Sequence, residues 1–137
     1  MAQIDLYRNT LLKKKEELAK LNQDMAREQG KIAPLQKKII TANASMGRTK
    51  SASTIKSKLG EIERANKSIA DVQKKCGEIQ KKIAQKEKEI ATAEKNYRNE
   101  EAKLTKKKLE TEKKQLRENA KNNALVQKTL EQHEKYQ

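Results

Sequence analysis

The feature that most constrains this chain is an apolar residue recurring at every seventh position. Ile4, Leu11, Leu18, Met25, Ile32, Ile39 and Met46 occupy one such position. Three residues further on stand Tyr7, Lys14, Leu21, Glu28, Leu35 and Ala42, of which four of six are apolar. Side chains at this three-and-four spacing line one face of a helix, and a strict seven-residue repeat favours left-handed supercoiling around a second helix. Intervening runs such as Lys13-Lys14-Lys15-Glu16-Glu17 read as a solvated face. The pattern resumes at Ile55, Ile62, Ile69, Cys76, Ile83, Ile90, Tyr97 and Leu104, accompanied by Ala65, Val72, Ile79, Lys86 and Ala93. Beyond Leu104 the frame slips: Leu109 and Leu116 keep a seven-residue step but stand out of phase.

Between the stripes lies Met46 to Leu59, MGRTKSASTIKSKL. Gly47 is expected as a left-handed stop for the incoming helix, since a residue without Cβ tolerates positive φ. The polar run from Arg48 to Ser53 carries no periodic apolar residue, and Ser51, Ser53 or Thr54 can accept orphan N–H groups of the next helix. Each stripe advances 42 residues, from Ile4 to Met46 and from Ile55 to Tyr97. Folding back at Lys50–Ser51 would place Ile4 near Tyr97 and Met25 near Cys76. The fold class expected is therefore all-α: a long antiparallel coiled-coil hairpin with a C-terminal helical extension, and oligomeric. Its parts are a hairpin over 1–104, with a helix over about 3–46, a turn over about 47–53 and a helix over about 54–104. Residues 105–137 form a polar helical extension or a linker toward a further domain. Gly30 and Pro34 interrupt the first stripe; because Ile32 and Leu35 keep the register, the expectation is a kink rather than a full stop.

Composition supports a shared seam over a globular core. Charged residues make up 38 % and aromatics 2 %, too few bulky side chains to fill a sphere, yet the apolar residues are regularly spaced. The formal net charge is +14, with 11 basic and 5 acidic residues in 1–50 and 22 and 14 in 51–137. Positive charge is thus spread along the chain, which favours solubility and a loose attraction to polyanions. The single Cys76 cannot form an intramolecular disulfide, and the N-terminus lacks the basic-then-apolar layout of a signal peptide. A cytoplasmic protein is expected, with no membrane span.

The residue types that carry catalysis do not converge. The four glycines, Gly30, Gly47, Gly60 and Gly77, are scattered singly and form no phosphate loop. One Cys and one His far apart do not make a metal site, so neither metal nor cofactor is expected. Cys76 reads as a small hydrophobe in the seam and His133 as a solvated surface residue. Ser51, Ser53 and Thr54 have no neighbouring base to activate them. Lys106-Lys107-Lys108 and Lys113-Lys114 are able to touch phosphates, but aromatic residues are sparse and Lys far outnumbers Arg, which limits base reading.

The stretch Met46–Ile69, MGRTKSASTIKSKLGEIERANKSI, resembles a segment in the N-terminal helical region of bacterial TIR-domain (Toll/interleukin receptor) proteins. A Gly-basic-Thr step there leads through a Ser-x-Ser-Thr run into a Lys-rich helix. Here these are Gly47, Arg48, Thr49, Ser51, Ser53, Thr54, Lys56, Lys58 and Leu59, followed by Glu61, Ile62 and Arg64. The likeness covers about 24 residues and continues only as coiled-coil composition. It implies helices that assemble a C-terminal TIR domain able to cleave or cyclise NAD, in antiphage defence or host manipulation. Neither alternating strands nor the catalytic Glu motif of such a domain occurs within these 137 residues.

The function expected is a non-enzymatic self-association or scaffolding module, a dimer of hairpins being favoured. A stand-alone structural coiled coil, or a basic rod binding nucleic acid or another polyanion, is the alternative. The seam is expected to consist of Ile4, Tyr7, Leu11, Leu18, Leu21, Met25, Ile32, Leu35, Ile39, Ile55, Ile62, Ile69, Val72, Cys76, Ile79, Ile83, Ile90 and Tyr97.

Overall fold

The computed structural model describes residues 2–135, nearly all of them helical, without strands among the described residues. Three helices follow in order: α1 (Gln3–Gln29), α2 (Ile32–Arg48) and α3 (Ala52–Lys135). The first stripe is therefore carried by two helices and not by one kinked helix over about 3–46. Pro34 accounts for where the break falls. It has no N–H to donate to the carbonyl of Gly30, and its ring would crowd that carbonyl in an unbroken helix. Restarting at Ile32 puts Pro34 in the first turn of α2, where an N–H has no intrahelical acceptor in any case. Gly30 still donates to the Ala26 carbonyl at 2.9 Å, and Lys31 closes a tighter turn onto Glu28 at 3.0 Å. Lys31 keeps right-handed helical angles, φ −77° and ψ −18°, so the hydrogen-bond ladder is interrupted while local backbone handedness is retained.

The turn is also shorter than expected. α2 runs through Gly47, whose φ is not positive, and the chain turns out at Thr49 in extended conformation, φ −118° and ψ 150°. Extended backbone at Thr49, and not a left-handed glycine, terminates α2. Ser51 then caps α3: its hydroxyl accepts the Thr54 N–H at 3.3 Å, and its carbonyl accepts that of Ile55 at 3.0 Å. The Ser51 N–H in turn donates to the Thr49 hydroxyl at 3.2 Å. Three non-helical residues, 49–51, thus replace the turn read over 47–53, and α3 starts at Ala52 instead of near Thr54. It continues without interruption past Leu104, where the apolar frame slips, to Lys135.

Two compact units are present. One is Asn9–Ala93; the other joins the segment up to Arg8 with that from Glu94 onward. In the first, α1 and α2 form one arm of a helical hairpin-like arrangement and α3 the other. Its core is thin. Ala42, Ala65, Val72, Ile79, Ile83, Ile90 and Ala93 are the buried apolar residues, and no side chain is completely enclosed. Each fully buried aliphatic side chain is worth ~1.5–3 kcal/mol, so a two-arm seam gathers this in only a few places.

Candidate interaction seam and exposed helix face

In unit 9–93 the ion pairs between arms define how they match. Lys14 Nζ meets Glu89 Oε1 at 2.9 Å, Lys86 pairs with Glu17, and Lys75 Nζ reaches Glu28 Oε1 at 3.3 Å. From Lys14 to Glu17 the chain advances three residues while its partner retreats three, and from Glu17 to Glu28 eleven against eleven. The arms therefore pass in opposite senses with a constant register. The midpoint of each pair lies between Ser51 and Ala52, one residue later than a fold-back at Lys50–Ser51 would give. Consequently Glu28, not Met25, lies at the level of Lys75 and Cys76.

The seam residues read from sequence fall into two depths. Val72, Ile79, Ile83 and Ile90 are buried. Half-buried are Leu11, Leu18, Leu21, Met25, Ile32, Leu35, Ile39, Ile55, Ile62, Ile69 and Cys76 in unit 9–93, and Ile4, Tyr7 and Tyr97 in the other unit. In that second unit Arg8 Nη2 donates to the Tyr97 hydroxyl at 3.4 Å, with the guanidinium 5.8 Å from the ring centroid. This contact raises the Arg8 pKa from its ordinary value, the hydrogen bond with Tyr97 being its main cause.

The polar positions within the stripes carry the chemistry that spacing alone does not show. Lys14, Glu28 and Lys86 each stand where the repeat calls for an apolar residue. Each is answered across the seam by an opposite charge. Lys14 and Lys86 share Glu89, and Lys86 also holds Glu17. Glu28 is the deepest charge: its side chain is 7 % exposed and accepts from Lys31 at 2.8 Å as well as Lys75. A carboxylate taken from water at that depth needs such donors to remain ionised. The hydrogen bond from Lys31 leads in holding Glu28 below the ordinary carboxylate range, with Lys75 adding to it. Lys86 and Lys14 depress Glu17 and Glu89 in the same way, and Glu17 raises Lys86. The sequence signal for these pairs was each charged residue at a seam position.

The motif residues at the turn do not converge on a site. Gly47, Arg48, Ser51, Ser53 and Lys56 are exposed, and Thr49 and Thr54 are half-buried. Lys58 pairs with Glu61 at 3.4 Å and Leu59 is 53 % exposed. Among the described residues no group of three or more His, Cys, Asp or Glu is placed to hold a metal ion. No described helix is long and apolar enough to cross a membrane.

Apolar residues also remain uncovered beside the seam. Leu12, Ile40 and Leu59 are 52 %, 68 % and 53 % exposed. From Glu101 to Lys135 every residue of α3 is exposed, including Leu109, Leu116 and Leu130. No family model matches the chain, and neither the curated proteins nor the solved structures contain a match.

Proposed function

We propose that this chain is a non-enzymatic helical module that self-associates, two hairpins packing into an antiparallel four-helix coiled coil. The observation that carries the reading is the half-covered seam. Its apolar stripe extends the length of unit 9–93, yet most of its residues stay half-exposed and Leu12, Ile40 and Leu59 lie open beside it. Coiled-coil side chains gain most when neighbouring helices enclose them. A second hairpin supplies that enclosure and the missing apolar burial. The ion pairs fix the register within each hairpin, as buried polar groups do in other coiled coils.

The resemblance at residues 46–69 extends this proposal. In a longer protein, paired hairpins would bring TIR-type catalytic domains together, and the chemistry would belong to those domains. A gene encoding such a domain beyond Gln137 would support that extension, and a gene without it would remove it.

Sedimentation equilibrium over a range of protein and salt concentration, with helicity followed in parallel, tests the proposal. Association that strengthens with salt is expected, because screening relieves repulsion between chains of +14. Replacing Leu12, Ile40 and Leu59 together by Gln is expected to weaken it while leaving the monomer helical. A fully helical monomer at high concentration in moderate salt rejects self-association.

A further inference from the structure

The last third of α3 carries a regular series of cations. Lys106, Lys113, Arg117, Lys121, Lys128 and Lys135 follow one another at steps of seven, four, four, seven and seven residues. At 3.6 residues per turn, a step of seven falls back about 20° and a step of four gains about 40°. Because α3 is unbroken to Lys135, these six cations share one face, a stripe roughly 44 Å long at 1.5 Å per residue. The acidic residues of the same segment mostly lie elsewhere around the helix. By the same arithmetic Glu101, Glu112, Glu118 and Glu134 fall outside the stripe, whereas Glu110 and Glu131 lie within or at its edge. All six cations are exposed, and none of them is in an ion pair among the described residues. In unit 9–93 the cations beside the seam, Lys14, Lys75 and Lys86, are each held by a carboxylate across it. Lys67, Lys74, Lys81 and Lys88 there are exposed and in no ion pair among the described residues, so the C-terminal stripe is set apart by lacking any seam beside it.

We infer that this stripe is a binding site for the phosphate backbone of double-stranded nucleic acid, read without regard to base sequence. A linear array of unpaired cations matches a linear array of phosphates, and neutralising them releases condensed counterions. Arg117 is the only guanidinium in the array, so base-edge reading by Arg forks is nearly absent. No Phe, Tyr or Trp occurs between Lys103 and Lys135, which removes most of the stacking that favours single strands. The flanking face disfavours a lipid surface: Leu109, Leu116 and Leu130 share it with Glu112, Asn119 and Asn123, where an interfacial helix needs a continuous apolar side. The inference is independent of self-association, since each chain carries the whole stripe.

The test uses the full chain and a fluorescent 20-base-pair duplex of arbitrary sequence, titrated at 50, 100 and 200 mM salt. One variant removes four stripe charges, K106Q/K113Q/R117Q/K121Q; another removes four exposed lysines elsewhere, K13Q/K20Q/K37Q/K38Q. Circular dichroism verifies that both stay helical. The stripe variant is expected to lose at least about tenfold in affinity at 100 mM salt. The slope of its log affinity against log salt should flatten by about 3 to 4, at ~0.9 for each phosphate no longer neutralised. The control variant should lose clearly less on both measures. DNA and RNA duplexes in parallel identify which polymer fits the stripe better. Equal losses in the two variants would reduce the effect to net charge and overturn the site. So would undetectable duplex binding at 100 mM salt, or half-saturation at a lower concentration of phosphatidylserine vesicle lipid than of duplex phosphate.

Discussion

Residues 9–93 and residues 101–135 are both rich in Lys and Glu and do opposite things with them. In 9–93 the cations at seam positions, Lys14 and Lys86, are matched by Glu89 and Glu17, and Lys75 answers the buried Glu28. The apolar side chains beside them, Ile79, Ile83 and Ile90, are buried. In 101–135 Leu109 and Leu116 are 52 % and 68 % exposed, and the lysines around them have no carboxylate partner among the described residues. Composition and the supply of a partner both differ: 9–93 holds nine isoleucines and 101–135 none, and the register that pairs Lys14 with Glu89 leaves no first-arm residue for positions beyond about 101. An apolar residue at every seventh place, kept for six turns of the repeat, draws a second helix onto itself and with it the opposite charges. Past Leu104, where the frame slips, isoleucine is gone and Lys and Glu make up a larger share, the helix faces outward.

The largest expected effect lies in the core. Ile83→Ala should destabilise the hairpin by ~2–5 kcal/mol, the range for truncating a buried Leu or Ile, whereas Leu116→Ala should change the monomer's stability by no more than about 0.5 kcal/mol. Urea denaturation followed by helicity measures both, and equal effects would erase the distinction between the regions.

Acid should act on the same side of the comparison. Glu17, Glu28 and Glu89 have folded-state pKa values held below the ordinary carboxylate value by their lysine partners. The stability they contribute is therefore fully present above the unfolded value of about 4.3 and is lost as pH falls through the depressed folded values. Thermal melts from pH 7 down to pH 2 should show a falling midpoint at the acid end. In an E17Q/E28Q/E89Q variant the whole curve should start lower and lose less on acidification. An unchanged acid slope in that variant would mean that these pairs do not set it.

Much of this contrast could be read from the sequence, and the rest has identifiable physical reasons. The stripes were legible because burial in a two-helix seam repeats with the helix itself. The break at Gly30–Lys31 was not, because Pro34 acts on the carbonyl four residues earlier and shifts the helix restart upstream of itself. Gly47 misled for a related reason: glycine permits a left-handed stop without requiring one, and Thr49 ended α2 in extended conformation instead. Register depended on a turn of three residues and a Ser51 cap, and a one-residue error in the fold-back point moves every cross-seam partner by two. For that reason the cross-seam partners of Lys14, Glu28 and Lys86 follow from the structure's register and not from spacing alone. On α3 the basic stripe became visible only once the helix was known to run unbroken to Lys135.

A smaller effect refines the account of α3. Gly77 lies within this helix on an exposed position, and a Cβ added there meets nothing within 4 Å. Gly77→Ala should stabilise the hairpin by about 0.5–1 kcal/mol through helix propensity and reduced freedom of the unfolded chain. The same denaturation experiment reads it; a loss of stability would point to a close neighbour at Gly77, as in an assembly packed against that face.

The most direct measurement is amide hydrogen exchange resolved along α3, taken on the protein at concentrations where it is monomeric. Exchange slows where opening a helix also costs buried side-chain contacts. The amides near Val72, Ile79, Ile83 and Ile90 are expected to exchange together and slowest, and those from Thr105 to Leu130 to exchange much faster although they belong to the same continuous helix. Uniform protection from Ala52 to Lys135, or faster exchange around Ile83 than around Leu116, would contradict the claim that the seam divides this chain into a paired part and an outward-facing one.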